Sequence, residues 1–370
     1  MAAVREARGA LLNEPGEPVS IEPITLDPPG PGEVQVRVEA SGVCHSDLHV
    51  KQTNGWVYPF PILLGHEAAG EIEEVGEGVE GLAVGDKVVV AWSVPCGRCP
   101  ECGRGDTRRC RGQVGAPKRL HRASDGEPLR AMLNTGTFAE RTVVHAAQAI
   151  KVPDGVPPEQ ACLIGCGVVT GVGAVLTTTP ARAGSNVVVI GCGGVGLSAV
   201  QGARIAEAGR IIAIDIDPQK LEWAQQFGAT DLVDSTQQDP VAAVRELTDK
   251  EGADFVYDIV GRGETLAAAE RMLGYNGVAT LVGIPGPKQE VTVPLDDGRG
   301  GGFFLKRGTI TVSFGGDQLP AEDFPRLAQY ALDGKLDLAA MVSRTVSLDQ
   351  VEDAFEEMER GTVIRSVITF

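Results

Sequence analysis

Four cysteines lie close together in the chain, at Cys96, Cys99, Cys102 and Cys110. Four thiolates at such short spacing can surround a Zn²⁺ ion tetrahedrally and leave it no open position. A pair of disulfides is the alternative, but disulfides suit small secreted domains, whereas this chain has 370 residues and shows no export signal. The spacing therefore predicts a closed zinc site in a lobe at 95–111, which stabilises structure and performs no chemistry.

A glycine-rich turn follows a compact apolar strand that we predict at 187–190. The residues of the turn are Gly191, Cys192, Gly193, Gly194, Val195 and Gly196. Gly191 allows a tight turn, Gly193 lets the backbone approach a pyrophosphate, and Gly196 lets the following helix pack closely on the strand. The N-terminus of that helix offers unpaired N–H groups and a partial positive charge to phosphates.

An acidic residue ends the next predicted strand, at 211–214. Asp215 lies 19 residues after Gly196, near the distance of an acid that binds the ribose 2′-hydroxyl of a dinucleotide. A carboxylate at this place repels a 2′-phosphate, so it favours NAD over NADP. The turn is therefore predicted to bind NAD, and the alternative is an ordinary tight turn followed by a solvated aspartate.

The predicted secondary structure that positions these groups changes along the chain, from strands joined by turns to strands that alternate with helices. The first 160 residues are rich in Gly and Pro and contain short alternating runs at 34–38 and 86–90, which predict β-strands joined by turns. From about Asn186, compact strands such as 255–259 and 278–282 alternate with helical stretches, which is typical of a parallel, doubly wound sheet. The charged segment 111–136 has little periodicity, and we predict a long surface loop there.

Composition excludes two classes of partner. The formal net charge is −17 and the sequence pI is about 4.8, so the surface repels nucleic acid and anionic membranes. The most apolar stretch, 161–176, is interrupted by glycines and is short for a bilayer span. We expect no nucleic-acid or membrane partner and a cytoplasmic enzyme, in which thiols stay reduced and available to metal.

Two further cysteines and a histidine stand in short polar motifs. Cys44 lies in Gly-Val-Cys-His-Ser-Asp, His66 in Gly-His-Glu, and Cys166 in Gly-Cys-Gly. They are 22 and 100 residues apart, so spacing alone does not unite them. Cys162, four residues before Cys166, competes with it on spacing. Taken singly, each of these residues is more often part of a core than a metal ligand.

The motifs in this order resemble the zinc-containing medium-chain alcohol dehydrogenases. The likeness runs over essentially the whole chain, down to the terminal Arg-Ser-Val-Ile-Thr-Phe. It implies an α/β fold of two domains: a GroES-like, β-rich catalytic domain at 1–167 and 311–370, which carries the zinc lobe, and a Rossmann NAD-binding domain with a doubly wound parallel sheet at 168–310. It also implies two Zn²⁺ ions per subunit, NAD, and a homodimer, with a homotetramer as the alternative.

The resemblance assigns the residues of a catalytic zinc site. The ligands would be Cys44, His66 and Cys166, the Cys₂His set known from alcohol dehydrogenase, which leaves one position for an alcohol. Asp47 would orient His66 and determine which ring nitrogen faces the metal. Glu67 would lie behind the zinc and assist exchange of the fourth ligand. Cys162 corresponds to a buried cysteine of the family.

The resemblance also implies a proton relay and further cofactor contacts. Ser46 would accept a hydrogen bond from the substrate hydroxyl, and the relay would continue through the ribose to His49, because histidine can carry a proton near neutral pH. The alternative for His49 is a surface histidine. The other contacts, for which simple packing or a solvated charge is the alternative, are His45 and Arg365 at the pyrophosphate, Lys220 beside Asp215 at the ribose, and Thr170, Val195 and Val282 at the nicotinamide.

Two positions bear on the substrate. Trp92 stands where the family places a substrate-pocket residue, and its indole could stack on an aromatic alcohol or simply fill core. Relatives that oxidise the glutathione adduct of formaldehyde carry an arginine shortly after the fourth lobe cysteine, where this chain has Val114. We expect hydride transfer between a primary or aromatic alcohol, or its aldehyde, and NAD. The alternatives are an S-(hydroxymethyl)mycothiol type of formaldehyde dehydrogenase and, more remotely, a non-catalytic nucleotide-binding relative.

Overall fold

The computed structural model describes residues 4–53, 58–112, 114–115, 117–296 and 302–370. The strands are β1 (Arg5–Leu12), β2 (Ser20–Leu26), β3 (Glu33–Gly42), β4 (Ile62–Leu63), β5 (Ala68–Val75), β6 (Lys87–Val90), β7 (Leu120–Arg122), β8 (Arg130–Ala131), β9 (Arg141–His145), β10 (Ala149–Lys151), β11 (Asn186–Ile190), β12 (Arg210–Asp215), β13 (Asp231–Asp234), β14 (Ala253–Asp258), β15 (Leu273–Leu281), β16 (Thr309–Val312), β17 (Val342–Val346) and β18 (Arg365–Thr369).

The α-helices are α1 (His45–Thr53), α2 (Pro100–Gly103), α3 (Pro158–Ala161), α4 (Gly167–Gly173), α5 (Gly194–Ile205), α6 (Pro218–Phe227), α7 (Pro240–Leu247), α8 (Gly263–Met272), α9 (Phe303–Lys306), α10 (Pro320–Leu332) and α11 (Val351–Arg360). Within the described ranges, no single helix is long and apolar enough to cross a membrane. One bent pair, Pro158–Gly165 with Gly167–Thr178, meets that criterion of length and composition only when the two are joined.

The chain forms two compact units, Met1–Cys166 with Leu319–Phe370, and Gly167–Gln318. The domain boundaries drawn from the sequence, after 167 and after 310, stay a prediction. The second of them falls inside β16, which pairs in parallel with β15 in the sheet of the second unit.

Two mainly antiparallel sheets build the first unit. One has the strand order β7-β2-β1-β4-β8, and the other has the order β10-β6-β5-β3-β18-β17, with β9 also paired to β3. Alternate residues of β3, Val34, Val36 and Val38, are buried in one apolar cluster with Ile72 of β5. This period of two is that of a strand with one face on a core, and it confirms the β-rich character predicted for this part of the chain.

A six-stranded parallel sheet forms the second unit, in the order β13-β12-β11-β14-β15-β16. The order runs outward in both directions from β11, as in a doubly wound fold. The four residues 187–190 are all buried, which shows that both faces of the central strand are covered. The predicted parallel, doubly wound sheet is confirmed.

The prediction of a long loop at 111–136 is wrong in part. The described residues of this segment contain β7, β8 and a short 3₁₀ turn at Met132–Asn134. β7 pairs with β2, and β8 pairs with β4. Strands of three and two residues are too short to show periodicity, and only their distant partners stabilise them.

Candidate metal centres and dinucleotide site

Residues that are far apart in the chain converge in the first unit. Cys44, His66, Glu67 and Cys166 each offer a ligand atom, and these atoms all lie within 4.8 Å of one another. Cys44 follows β3, and the pair His66–Glu67 precedes β5, the antiparallel neighbour of β3. Cys166 follows the 3₁₀ turn Cys162–Gly165. The pairing of β3 with β5 therefore closes the gap of 22 residues that spacing could not bridge.

The structure also decides between the two competing cysteines. Cys162 is fully buried, and its Sγ donates a weak hydrogen bond to the carbonyl of Glu159 at 3.4 Å. It is not part of the described ligand cluster, whereas Cys166 is. Burial raises the pKa of Cys162 well above its ordinary value, so this thiol stays protonated as a small packing group.

Asp47, in the first turn of α1, connects the main chain to the ring of His66. Its Oδ1 lies 3.2 Å from His66 Nδ1 and accepts the N–H of Gly65 at 3.0 Å. Its Oδ2 accepts the N–H of Cys44 at 3.3 Å. One fully buried carboxylate thus holds the backbone at Cys44 and at Gly65, the residue before His66, and engages Nδ1, which leaves Nε2 for a ligand.

The donor set fits a zinc ion. His66 Nε2 is buried and has no hydrogen-bond partner among the described residues, a state that bound metal would relieve. A hydrogen bond from Cys166 holds the pKa of Cys44 well below its usual range, although burial opposes this shift. Metals bind the thiolate form of cysteine. Two sulfurs and one imidazole nitrogen match a Cys₂His site.

Glu67 forms a buried ion pair with Arg365 of β18. Burial raises the pKa of Glu67 to about 7, and the neighbouring Arg365 opposes this rise. Gly42 makes room for the carboxylate, because a Cβ there would lie 2.3 Å from Glu67 Oε2. The structure places the guanidinium of Arg365 against Glu67, and its contact with a pyrophosphate stays a prediction.

Buried hydroxyls support the backbone on both sides of His66, and sequence reasoning missed them. Ser41 Oγ donates to the carbonyl of Glu67 at 2.9 Å and lies 2.8 Å from Thr137 Oγ1. Thr135 Oγ1 lies 3.3 Å from the carbonyl of Gly65, and that carbonyl also accepts the N–H of Thr137 at 3.0 Å. The motif around His66 gave no signal for them, because they come from β3 and from the segment before β9.

We expect Asp47→Asn to weaken metal binding at this cluster by about 10- to 100-fold, because removal of a group that orients a ligand has typical costs of this size. The amide keeps the size of the side chain but loses the charge beside His66. The measurement is the zinc retained after dialysis against a graded series of chelator concentrations. Asp258→Asn is the matched control, since Asp258 is equally buried but lies in the second unit. Equal zinc retention in the two variants would contradict the role of Asp47.

The second cysteine cluster is the lobe predicted from spacing. The sulfur atoms of Cys96, Cys99, Cys102 and Cys110 lie within 4.8 Å of one another. All eight cysteines of the chain are described and free, so the disulfide alternative is not adopted. Four thiolates without an open position suit a structural zinc ion.

The glycine turn lies between β11 and α5. Gly191 has a φ of 93°, in the left-handed region that favours glycine. A Cβ on Gly196 would stand 1.9 Å from the carbonyl oxygen of Gly191, so the helix can start this close to the strand only with glycine there. At Gly193, by contrast, a Cβ would meet no described atom within 4 Å, which leaves room for a phosphate.

Asp215 is hydrogen-bonded to this same turn. Its Oδ2 accepts the N–H of Cys192 at 2.7 Å, and its Oδ1 accepts those of Ile216 at 2.8 Å and Asp217 at 3.0 Å. The thiol of Cys192 is buried, and burial raises its pKa, which fits a packing role. The acid and the glycine turn that the sequence links by distance are therefore in direct contact.

The remaining predicted residues occupy several elements. His45 is exposed, and Ser46 and His49 are half-buried, on α1. Trp92 is half-buried two residues beyond β6. The residues of the second unit are Thr170 in α4, Val195 in α5, Lys220 in α6 and Val282 directly after β15. The contacts of all these residues with substrate or cofactor stay predictions.

Comparisons with known proteins agree with this architecture. The family model described as alcohol dehydrogenase GroES-like domain matches residues 30–154, and that of zinc-binding dehydrogenase matches residues 194–333. S-(hydroxymethyl)glutathione dehydrogenases of Escherichia coli O1:K1 / APEC and of Photobacterium damsela subsp. piscicida are each 37% identical over 376 residues, which cover 99% of this chain and 100% of each relative.

Two solved structures are similar over almost their whole length. A protein described as alcohol dehydrogenase zinc-binding domain protein, from Burkholderia ambifaria, is 34% identical with a TM-score of 0.93 and 100% coverage of both chains. Benzyl alcohol dehydrogenase from Acinetobacter calcoaceticus is 30% identical with a TM-score of 0.90 and 99% coverage of both.

A GroES-like unit with two cysteine-rich candidate metal sites and a doubly wound unit with a glycine-rich turn are the features of a zinc-dependent oxidoreductase. With full-length relatives at this identity, the chain belongs to the zinc-containing medium-chain alcohol dehydrogenase family. The family and the fold class predicted from the sequence are thereby confirmed.

Proposed function

We propose that the protein transfers a hydride between a primary or aromatic alcohol, or the corresponding aldehyde, and NAD. The observation that carries the proposal is the cluster of Cys44, His66 and Cys166, in which a buried imidazole nitrogen lacks a hydrogen-bond partner among the described residues. We assign one Zn²⁺ to this cluster and one to the lobe.

The residues around the cluster orient the metal ligands and compensate the negative charge of Glu67. Zinc held by Cys44, His66 and Cys166 would supply a Lewis acid, which favours loss of the hydroxyl proton of an alcohol. Cys44 and Cys166 would bind zinc as thiolates and so bring negative charge to the cluster, and Asp47 keeps the ring of His66 in one orientation. The buried guanidinium of Arg365 offsets the carboxylate of Glu67, so that this second acid adds no net negative charge beside the two sulfur ligands.

Proton removal is assigned to α1. Ser46 is one turn of helix before His49 on α1, so a proton could pass from the substrate hydroxyl through Ser46 and the cofactor ribose to His49. We expect His49→Gln to lower kcat by up to about 10²-fold, the lower end of the contribution of one general base. Added imidazole should restore part of the rate. A variant with an unchanged rate would show that water performs this transfer and that His49 is a surface histidine.

The second unit is assigned to NAD. Gly191, Gly193, Gly194 and Gly196 would receive the pyrophosphate at the start of α5, and Asp215 would bind the adenosine ribose. The cofactor supplies the hydride acceptor, and the protein positions it. Further contacts are assigned to His45, Thr170, Val195, Lys220, Val282 and Arg365.

A second candidate is the oxidation of a thiol adduct of formaldehyde. It is favoured by the S-(hydroxymethyl)glutathione dehydrogenases at 37% identity. Val114 stands where glutathione-dependent relatives are expected to carry an arginine, which argues against glutathione itself and leaves a thiol such as mycothiol. Trp92 favours the first candidate, since an indole in the pocket can stack on an aromatic ring.

An activity screen separates the two candidates. NADH absorbance is followed with benzyl alcohol, with short primary alcohols, and with formaldehyde in the absence and presence of glutathione or mycothiol. The proposed function predicts the highest kcat/KM with an alcohol and no need for a thiol. A rate with formaldehyde that depends on a thiol and exceeds every alcohol rate would replace it with the second candidate. A protein with at most one zinc ion per chain and no turnover of any of these would favour the non-catalytic nucleotide-binding relative.

We further propose a homodimer. β16 lies at the end of its sheet, and Val312 and Phe314 beside this edge are exposed. Sedimentation equilibrium measures the state directly, and a monomer or a tetramer would contradict the proposal.

A further inference from the structure

An ion pair joins the four-cysteine lobe to α10. Arg108, two residues before Cys110, donates from Nη1 to Asp323 Oδ2 at 2.7 Å and from Nη2 to Glu322 Oε2 at 2.9 Å. The side chain of Asp323 is 3% exposed, whereas that of Glu322 is 64% exposed. Solvent screens exposed ion pairs strongly, so the contact with Asp323 carries most of the interaction.

Asp323 in turn holds the main chain at the start of α10. Its Oδ2 accepts the N–H of Leu319 at 2.6 Å, and its Oδ1 pairs with Arg326 at 2.6 Å. Leu319 is the residue at which the chain returns to the first unit. Burial of a carboxylate is costly unless it is paired and hydrogen-bonded in this way. Arg108 therefore stabilises the group that anchors Leu319.

The described helical elements of the lobe have no core packing of their own. α2 has four residues and the 3₁₀ turn Thr107–Arg109 has three, and no residue of these two described elements is buried. Segments without an apolar face gain no order from core packing. A lobe of this kind depends on its metal for a single conformation.

We propose that the lobe metal acts, through Arg108, as a latch on the start of α10. With metal bound, Arg108 pairs with Asp323, and Asp323 keeps its hydrogen bond to the N–H of Leu319 at the start of α10. When the metal is lost, Arg108 is released and the hydrogen bonds of the segment 319–323 open, although Asp323 lies 215 residues after Arg108 in the chain. The proposal rests on the zinc that we assign to the lobe, and it does not depend on the catalytic reaction.

Hydrogen exchange of the zinc-loaded enzyme, read by mass spectrometry over 319–323, tests the latch. We expect Arg108→Gln to raise exchange there by about tenfold or more, the factor that a hydrogen bond to a charged group commonly contributes, while zinc content is unchanged. Arg109→Gln is the matched control, because Arg109 is 68% exposed and, among the described residues, its one ion pair is with Asp106, at the 4.0 Å limit of such a pair. It should exchange like the wild type. Arg108→Lys should restore part of the protection.

Cys102→Ser tests whether loss of the lobe metal has the same effect as loss of Arg108. This variant should lose one zinc ion and show the same faster exchange over 319–323, and its combination with Arg108→Gln should add nothing further at this segment. Wild-type exchange in Arg108→Gln, or in a Cys102→Ser protein that has lost the lobe zinc, overturns the latch. If Cys102→Ser does not fold, the comparison of Arg108→Gln with Arg109→Gln decides alone. Exchange needs no substrate, so an enzyme without alcohol dehydrogenase activity would overturn the proposed function and leave this result intact.

Discussion

Cys44→Ser is expected to lower kcat by at least about 10³-fold while NAD still binds, because a Lewis acid contributes several kcal/mol to such a reaction and each 1.36 kcal/mol is tenfold in rate. Serine keeps the shape of the side chain, but its hydroxyl is a much poorer zinc ligand than a thiolate. Cys44 is in the first unit and the glycine turn is in the second, so cofactor binding, measured by the quenching of protein fluorescence on NADH addition, should persist.

Cys162→Ser is the matched control for this experiment. It removes a thiol that is just as buried and lies four residues from Cys166, but it leaves the described ligand cluster complete. We expect two zinc ions per chain and a rate within a few-fold of the wild type. Full activity in Cys44→Ser, or a single zinc ion in the active wild-type enzyme, would falsify the assignment of the catalytic site.

Asp215→Gly is expected to shift the ratio of kcat/KM for NADP to that for NAD by at least about 10²-fold. A like-charge contact with the 2′-phosphate costs several kcal/mol, hydrogen bonds from the ribose to a charged acceptor contribute about 1.5–3 kcal/mol, and 1.4 kcal/mol is tenfold. Both changes act in the same direction on the ratio. The variant also removes the acceptor for the N–H of Cys192, so we expect a higher KM with both cofactors.

Asp217→Asn serves as the control for charge alone. Asp217 lies two residues further on and carries the same charge, and its Oδ1 accepts the N–H of Gln219 at 2.9 Å at the start of α6, a cap that asparagine preserves. Its cofactor ratio should change by less than a tenth of the shift in Asp215→Gly. A similar shift in both variants would mean that general surface charge, and not contact at the ribose, selects the cofactor.

Local patterns in the sequence were sufficient for much of the architecture. The alternating run in β3 and the compact apolar runs at β11, β12, β14 and β15 predict strands, because the side-chain period of a strand is visible within a few residues. β7 and β8 show the limit of this approach. They are so short that their existence depends on pairing with β2 and β4, and no local pattern records a partner about 70 to 100 residues away.

The two candidate metal sites also differ in how much of each can be predicted from local sequence. The four cysteines of the lobe lie within 95–111, so their types and spacing alone predicted a four-sulfur cluster, and the structure contains it. The glycine turn and Asp215 were likewise determined by the sequence, because one strand–turn–helix–strand unit contains them both. Spacing alone left Cys162 and Cys166 as alternatives, and the family resemblance chose Cys166 and assigned Asp47 to His66. Only the tertiary structure brings these side chains together and places Arg365 against Glu67. Those contacts are made by elements that meet through sheet pairing, such as β3 with β5 and β18, and the energy of such pairing depends on distant residues that a local reading of the chain does not compare.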